Sequence, residues 1–128
     1  MFMFGDLPAY GLYMHHVNGV VLNNVKFHLE EEDLRPAIVC DDVDDLELSG
    51  FKAEGSKNAE SLIRLENTRN IFINSSRTLN EIGLFLKLEG SHTQGIKLAG
   101  NNLDLATKVM EKDQECSANV FSSYKGDK

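Results

Sequence analysis

Tyr13, Val39, Arg64 and Lys87 recur at intervals of 26, 25 and 23 residues, and His15, Asp41, Glu66 and Glu89 each follow two residues later. An aromatic ring, a guanidinium and an ammonium in one line could follow an acidic sugar chain. The carboxylates beside them suit acid–base work, with Asp41 and Glu66 as the pair. The plain alternative is ion pairing along a solvated face, such as Arg64 with Asp41 or Glu66, and exposed pairs of this kind contribute little. A second basic row holds Lys26, Lys52 and Arg77. It could attract a polyuronate or pair with Glu30, Glu31 or Glu54. The candidate carbohydrate-binding residues are therefore Tyr13, His15, Asp41, Arg64, Glu66 and Lys87.

Other chemistry finds less support. His15 and His16 are adjacent, so in a strand they point to opposite faces and cannot chelate together without a bend. The run Glu30-Glu31-Glu32-Asp33 lacks the alternating spacing of a calcium loop and reads as a solvated loop. Ser75-Ser76 has no His or Asp at motif spacing. No glycine-rich phosphate motif opens a helix. The two cysteines, Cys40 and Cys116, form no Cys-x-x-Cys, and Cys40 falls on an inward strand position, as expected of a structural thiol. No catalytic residue, metal or cofactor is expected.

The elements that hold these residues are legible as a repeat. Val17-Asn18-Gly19-Val20-Val21-Leu22-Asn23-Asn24-Val25 returns as Val43–Phe51, Thr68–Ser76 and Thr93–Asn101, at intervals of 26, 25 and 25 residues. A fixed period of this length signals stacked units that bury their faces on one another. Val20, Leu46, Ile71 and Ile96 form one inward column, and Leu22, Leu48, Ile73 and Leu98 a second. Asn24, Gly50, Ser75 and Gly100 sit at a corner, where positive φ favours amides and glycine. Leu86 follows Ile63 by 23 residues while Ile96 follows Ile71 by 25, so the fourth coil needs a first turn two residues longer, at Gly90-Ser91.

These features predict an all-β, right-handed, single-stranded parallel β-helix of about four coils of 23–26 residues with atypical terminal caps. The whole chain, 1–128, reads as one domain: an entry segment at 1–8, coils over 9–102 and a C-terminal cap over 103–128. Within the cap, Leu103–Lys108 is expected as a short helix with Asn102 as its N-cap, and Val109–Tyr124 as a weak strand or end cap. The apolar Met1–Phe4 segment is too short for a signal peptide and is expected to cap the stack.

A net charge of −7 speaks against nucleic acid, and no apolar run reaches membrane-spanning length. Open ends expose apolar core and unpaired strand edges, so a homodimer through the ends of the β-helix is expected.

The segments Leu7–Tyr13, His16–Val25, Asp33–Ala37 and Asp42–Leu48 together resemble the C-terminal coils of polygalacturonase-like proteins. These are the parallel β-helices of glycoside hydrolase family 28 and its bacterial relatives. The resemblance spans roughly residues 5–105. It implies a secreted or periplasmic setting, and hydrolysis of galacturonic-acid-rich polysaccharide, with inversion, by a whole enzyme. The family's Asn-Thr-Asp, Gly-Asp-Asp, Gly-His-Gly and Arg-Ile-Lys runs are all absent from this sequence. Asp41-Asp42 and Asp44-Asp45 have no introducing glycine, so no catalytic residue carries over. Three functions stay open: a β-helix without activity of its own, a module that binds acidic polysaccharide, and a hydrolase using an unrecognised carboxylate pair.

Overall fold

The computed structural model describes residues 7–116. Its strands are β1 (Leu12–Asn23), β2 (Lys26–Phe27), β3 (Ile38–Ser49), β4 (Lys52–Ala53), β5 (Ile63–Glu66), β6 (Arg69–Asn74), β7 (Arg77–Thr78), β8 (Ile82–Glu89), β9 (Gln94–Ala99) and β10 (Ala106–Lys112). No helix occurs among the described residues, and every strand pairing is parallel. β1 with β2, β3 with β4, β5 to β7, and β8 with β9 make four stacked coils. β1 and β3 each bend and cross two walls. β5–β6 and β8–β9 trace the same path, broken at the bend. β2, β4 and β7 form the third wall.

The expected columns are the observed ones. Val20 pairs with Leu46, Leu46 with Ile71 and Ile71 with Ile96; Leu22, Leu48, Ile73 and Leu98 follow in the same way. Ile38, Ile63 and Leu86 make a third column, and Cys40, Leu65 and Leu88 a fourth. All of these but Val20 and Leu22 are buried. Each buried aliphatic of this size contributes roughly 1.5–3 kcal/mol. The stack is held by these columns more than by the charges outside them.

Three left-handed residues turn each coil. His16, Asp42, Asn67 and Gly90 all have positive φ, as do Gly19, Asp45, Asn70 and Gly95. Asn24, Gly50, Ser75 and Gly100 form the third set, at the corner read from the sequence. The small-or-amide rule follows from the low cost of this region for Gly, Asn and Asp. The longer first turn of the fourth coil lies between Gly90 and Gly95, with Thr93 bonded to the turn of the coil before through Thr68 N–H→Thr93 Oγ1 at 3.2 Å.

Two other columns change size from coil to coil. One corner holds Gly11, Ala37, Leu62 and Phe85, which grow larger toward the C-terminal end. The facing wall holds Phe27, Ala53 and Thr78, with Phe51 over Ser76. A Cβ added at Gly11 would lie 2.7 Å from the Ala37 carbonyl oxygen and 2.9 Å from the Phe27 ring. The first coil is thus filled by Phe27 where its other side carries only Gly11.

Two local expectations are corrected. Leu103–Lys108 forms no helix: Asn102 bridges to Arg77, its side chain accepts Asp104 N–H at 3.1 Å, and β10 pairs with β8. Six residues make a marginal helix, and the free edge of β8 offers a ladder that Thr107 and Val109 suit. Val39 occupies an outward register position between Tyr13 and Arg64 but is only 1% exposed. The capping assigned to Met1–Phe4, and the Ser117–Tyr124 part of the end cap, fall outside the described residues.

Candidate functional site

The first wall carries the predicted column. Tyr13 pairs with Val39, Val39 with Arg64 and Arg64 with Lys87; beside them run His15, Asp41, Glu66 and Glu89. The rungs of a parallel ladder are about 4.8 Å apart, so Tyr13 and Lys87 stand roughly 14 Å apart along the face. Buried Val39 divides the column into an aromatic end and a charged end.

At the aromatic end Tyr13 stacks on His15, with centroids 6.1 Å apart and planes at 12°. His15 in turn lies 3.7 Å from His16. The two imidazoles share a side because φ of 60° at His16 is the bend that strand alternation lacks. Carboxylates of the second coil hold both rings. His15 Nδ1 lies 3.1 Å from Asp41 Oδ2, and His16 Nδ1 donates to Asp42 Oδ2 at 2.5 Å. Arg69 Nη2 donates to Asp42 Oδ1 at 3.1 Å. The His16 hydrogen bond, then the Arg69 one, hold the Asp42 carboxyl below the usual range. The result is a shelf of three rings with fixed orientations. Nδ1 is engaged in each imidazole, which leaves Nε2 for a hydroxyl.

At the charged end Arg64 Nη1 donates to Glu60 Oε2 at 2.7 Å, and Lys87 Nζ lies 4.0 Å from Glu89 Oε2. Arg64 Nε is buried without an acceptor. Burial raises the Glu89 carboxyl above its ordinary range; Arg64 and Lys87 oppose that shift, and Glu60 and Glu66 add to it. Sequence reasoning offered Asp41 or Glu66 as the partner of Arg64, and Glu60 takes that place.

The structure therefore joins Tyr13, His15 and Asp41 into one unit and keeps Arg64, Glu66 and Lys87 beyond Val39. His16, Asp42 and Arg69 were missed as site residues, because left-handed corners turn their side chains away from the two-residue alternation. A second missed feature lies on the next wall. There Phe72, 37% exposed, Asn70, Gly95 and Lys97 line an open depression of about 380 Å³. Its signal was an aromatic at an outward position between Ile71 and Ile73. A larger depression, about 710 Å³, lies at the C-terminal end of the described residues, where Lys57 and Glu81 pair at 2.9 Å.

The other candidates take structural roles. Glu32 accepts from Ser56 Oγ and Asn58 Nδ2, and Asp33 pairs with Arg35 at 2.7 Å, so part of the acidic run clamps its loop. Burial pushes the Cys40 thiol up to about 12. Among the described residues no three His, Cys, Asp or Glu side chains converge as a metal site. Comparison with protein-family models, curated proteins and solved structures finds no match to this chain.

Proposed function

We propose that this chain is a non-catalytic β-solenoid that binds an acidic polysaccharide along its first wall, and that it is akin to the C-terminal coils of polygalacturonase-like glycosidases. The observation that carries the reading is the shelf of Tyr13, His15 and His16. Flat rings present an apolar face to a sugar ring, while imidazole Nε2 and carboxylate oxygens meet its hydroxyls. Arg64 and Lys87, two and three rungs away, receive carboxylates farther along the chain. Glu89, raised by burial, takes up a proton early as pH falls, which frees Lys87. Binding is therefore expected to strengthen as the solution is acidified through the range in which Glu89 takes up its proton.

The hydrolase reading has less support. Asp41 and Glu66 are register partners on adjacent strands. Register places their backbones about 4.8 Å apart, and the Asp41 carboxylate is engaged by His15 of the first coil at 3.1 Å, not held free as a base for water.

Titration of the labelled protein with oligogalacturonate, followed by amide shifts, tests the proposal. Shifts centred on residues 13–16 and 64–66, abolished by Tyr13→Ala, are the expected result. An unchanged spectrum with both acidic and neutral oligosaccharides would sink it. Release of reducing ends would return the hydrolase to first place.

A further inference from the structure

We propose that two copies of this chain associate head to head through the free edge of β1, about a two-fold axis at Val17. Its grounds are separate from those of the saccharide reading, although both draw on Tyr13.

Among the described residues β1 pairs only with β3, which leaves one of its edges with N–H and C=O groups that no described strand takes up. Such edges are normally blunted by charge or proline. β1 has neither: no Asp, Glu, Lys, Arg or Pro occurs between Leu12 and Asn23. The last rung differs, since the seven residues of β10 include Lys108, Glu111 and Lys112. One end of the stack is guarded and the other is bare. This asymmetry selects the occupant. A head-to-tail contact would bring the charged rung onto the bare one and grow a fibre, whereas bare edge on bare edge closes as a dimer.

The core makes the same demand. Val43, Leu46, Leu48, Phe51 and Ala53 are at most 2% exposed, yet their first-coil counterparts Val17, Val20, Leu22, Val25 and Phe27 are only partly covered. The first coil lacks the neighbour that buries the second.

The register of the contact follows from where the side chains point. The inward residues Leu12, Met14, Val17, Val20 and Leu22 are spaced symmetrically about Val17. A two-fold axis there sets Leu12 over Leu22 of the second copy and Met14 over its Val20. The outward residues match as well: Tyr13, 39% exposed, falls opposite Val21 of the second copy, and Val21 is 62% exposed. The backbone agrees. Leu12 N–H bonds the Ala37 carbonyl and Asn24 N–H that of Ser49, both on the side of the second coil. By alternation the N–H and C=O groups of Tyr13 and Val21 face the free edge. Tyr13 and Val21 of the second copy thus form a hydrogen-bonded antiparallel pair.

Sedimentation equilibrium of the full chain across a wide concentration range tests the proposal. The expected mass rises from one chain to two and no further. Val21→Pro removes an edge N–H that β3 does not use and is expected to abolish the two-chain species with the circular dichroism unchanged. Val20→Lys is expected to do the same, and Lys108→Ala on β10 to leave dimerisation intact. A parent protein that stays at one chain mass overturns the proposal, as it would if residues 1–6 or a different protein covered the edge. Growth beyond two chains overturns the closed two-fold arrangement. A Val21→Pro variant that still dimerises overturns the assignment to β1.

Discussion

The first and second coils carry one pattern of side chains and reach different burial. Leu12, Val17, Val20 and Leu22 repeat as Ile38, Val43, Leu46 and Leu48 in direct register. The second set is sealed between two neighbours, while the first has a neighbour on one side only. Burial in a stack is therefore a property of position, and the energy of a coil resides in its two interfaces. The same aliphatic contributes less at the end than in the middle.

Truncating one column at two heights gives the largest test of that difference. Leu48→Ala leaves a cavity between two coils and is expected to cost about 2–5 kcal/mol. Leu22→Ala, measured on dilute protein, is expected to cost about half as much, because its site is already half open. Urea unfolding of both variants checks this, and equal losses would show that the first coil is fully covered.

A smaller contrast comes from the third corner. Gly50 has φ of +71°, and a Cβ there would meet Asn24 Oδ1 at 2.5 Å. Gly100 has φ of +66° with nothing within 4 Å of that position. Gly100→Ala is expected to cost only the left-handed strain, about 1–2 kcal/mol. Gly50→Ala adds the clash and is expected to cost measurably more, read as a larger drop in thermal midpoint. Similar drops would mean that Asn24 swings aside freely.

The smallest effect lies at the seam between the two coils. Asp42 is held ionised by His16 and Arg69. A carboxyl with a depressed folded pKa adds stability above the ordinary aspartate range and loses it as pH falls through the folded value. Asp42→Asn is expected to flatten the acid side of the stability–pH curve and to change little in high salt, since the pair is solvent-exposed. An unaltered acid limb would remove this pair from the account.

The columns were legible because stacking puts equivalent residues at one period, so Val20, Leu46, Ile71 and Ile96 announce themselves without any knowledge of the turns. The corner at Asn24 and the longer turn at Gly90-Ser91 were legible for the same reason. β10 was legible only in part: Val109–Lys112 falls in the expected weak strand, but Ala106–Lys108 reads as helix, and the open edge of β8 decides its state. The pairing of His16 with Asp42 and Arg69 was not legible. The period locates them on neighbouring coils, but a left-handed residue redirects its side chain by an amount that strand alternation does not describe. Val39 shows the limit from the other side, since register fixes which way a residue faces and says nothing about what lies on top of it.

The changes of size along Gly11–Phe85 and Phe27–Thr78 make the coils individuals rather than copies. A second Ala37–Ala53 coil inserted after the first would set Ala37 on Ala37 and Phe51 on Phe51, where each now meets residues of other sizes. A gene that lengthened this protein by duplicating one internal unit would create a misfit at the splice, so this array is closed to the simplest route by which repeat proteins grow.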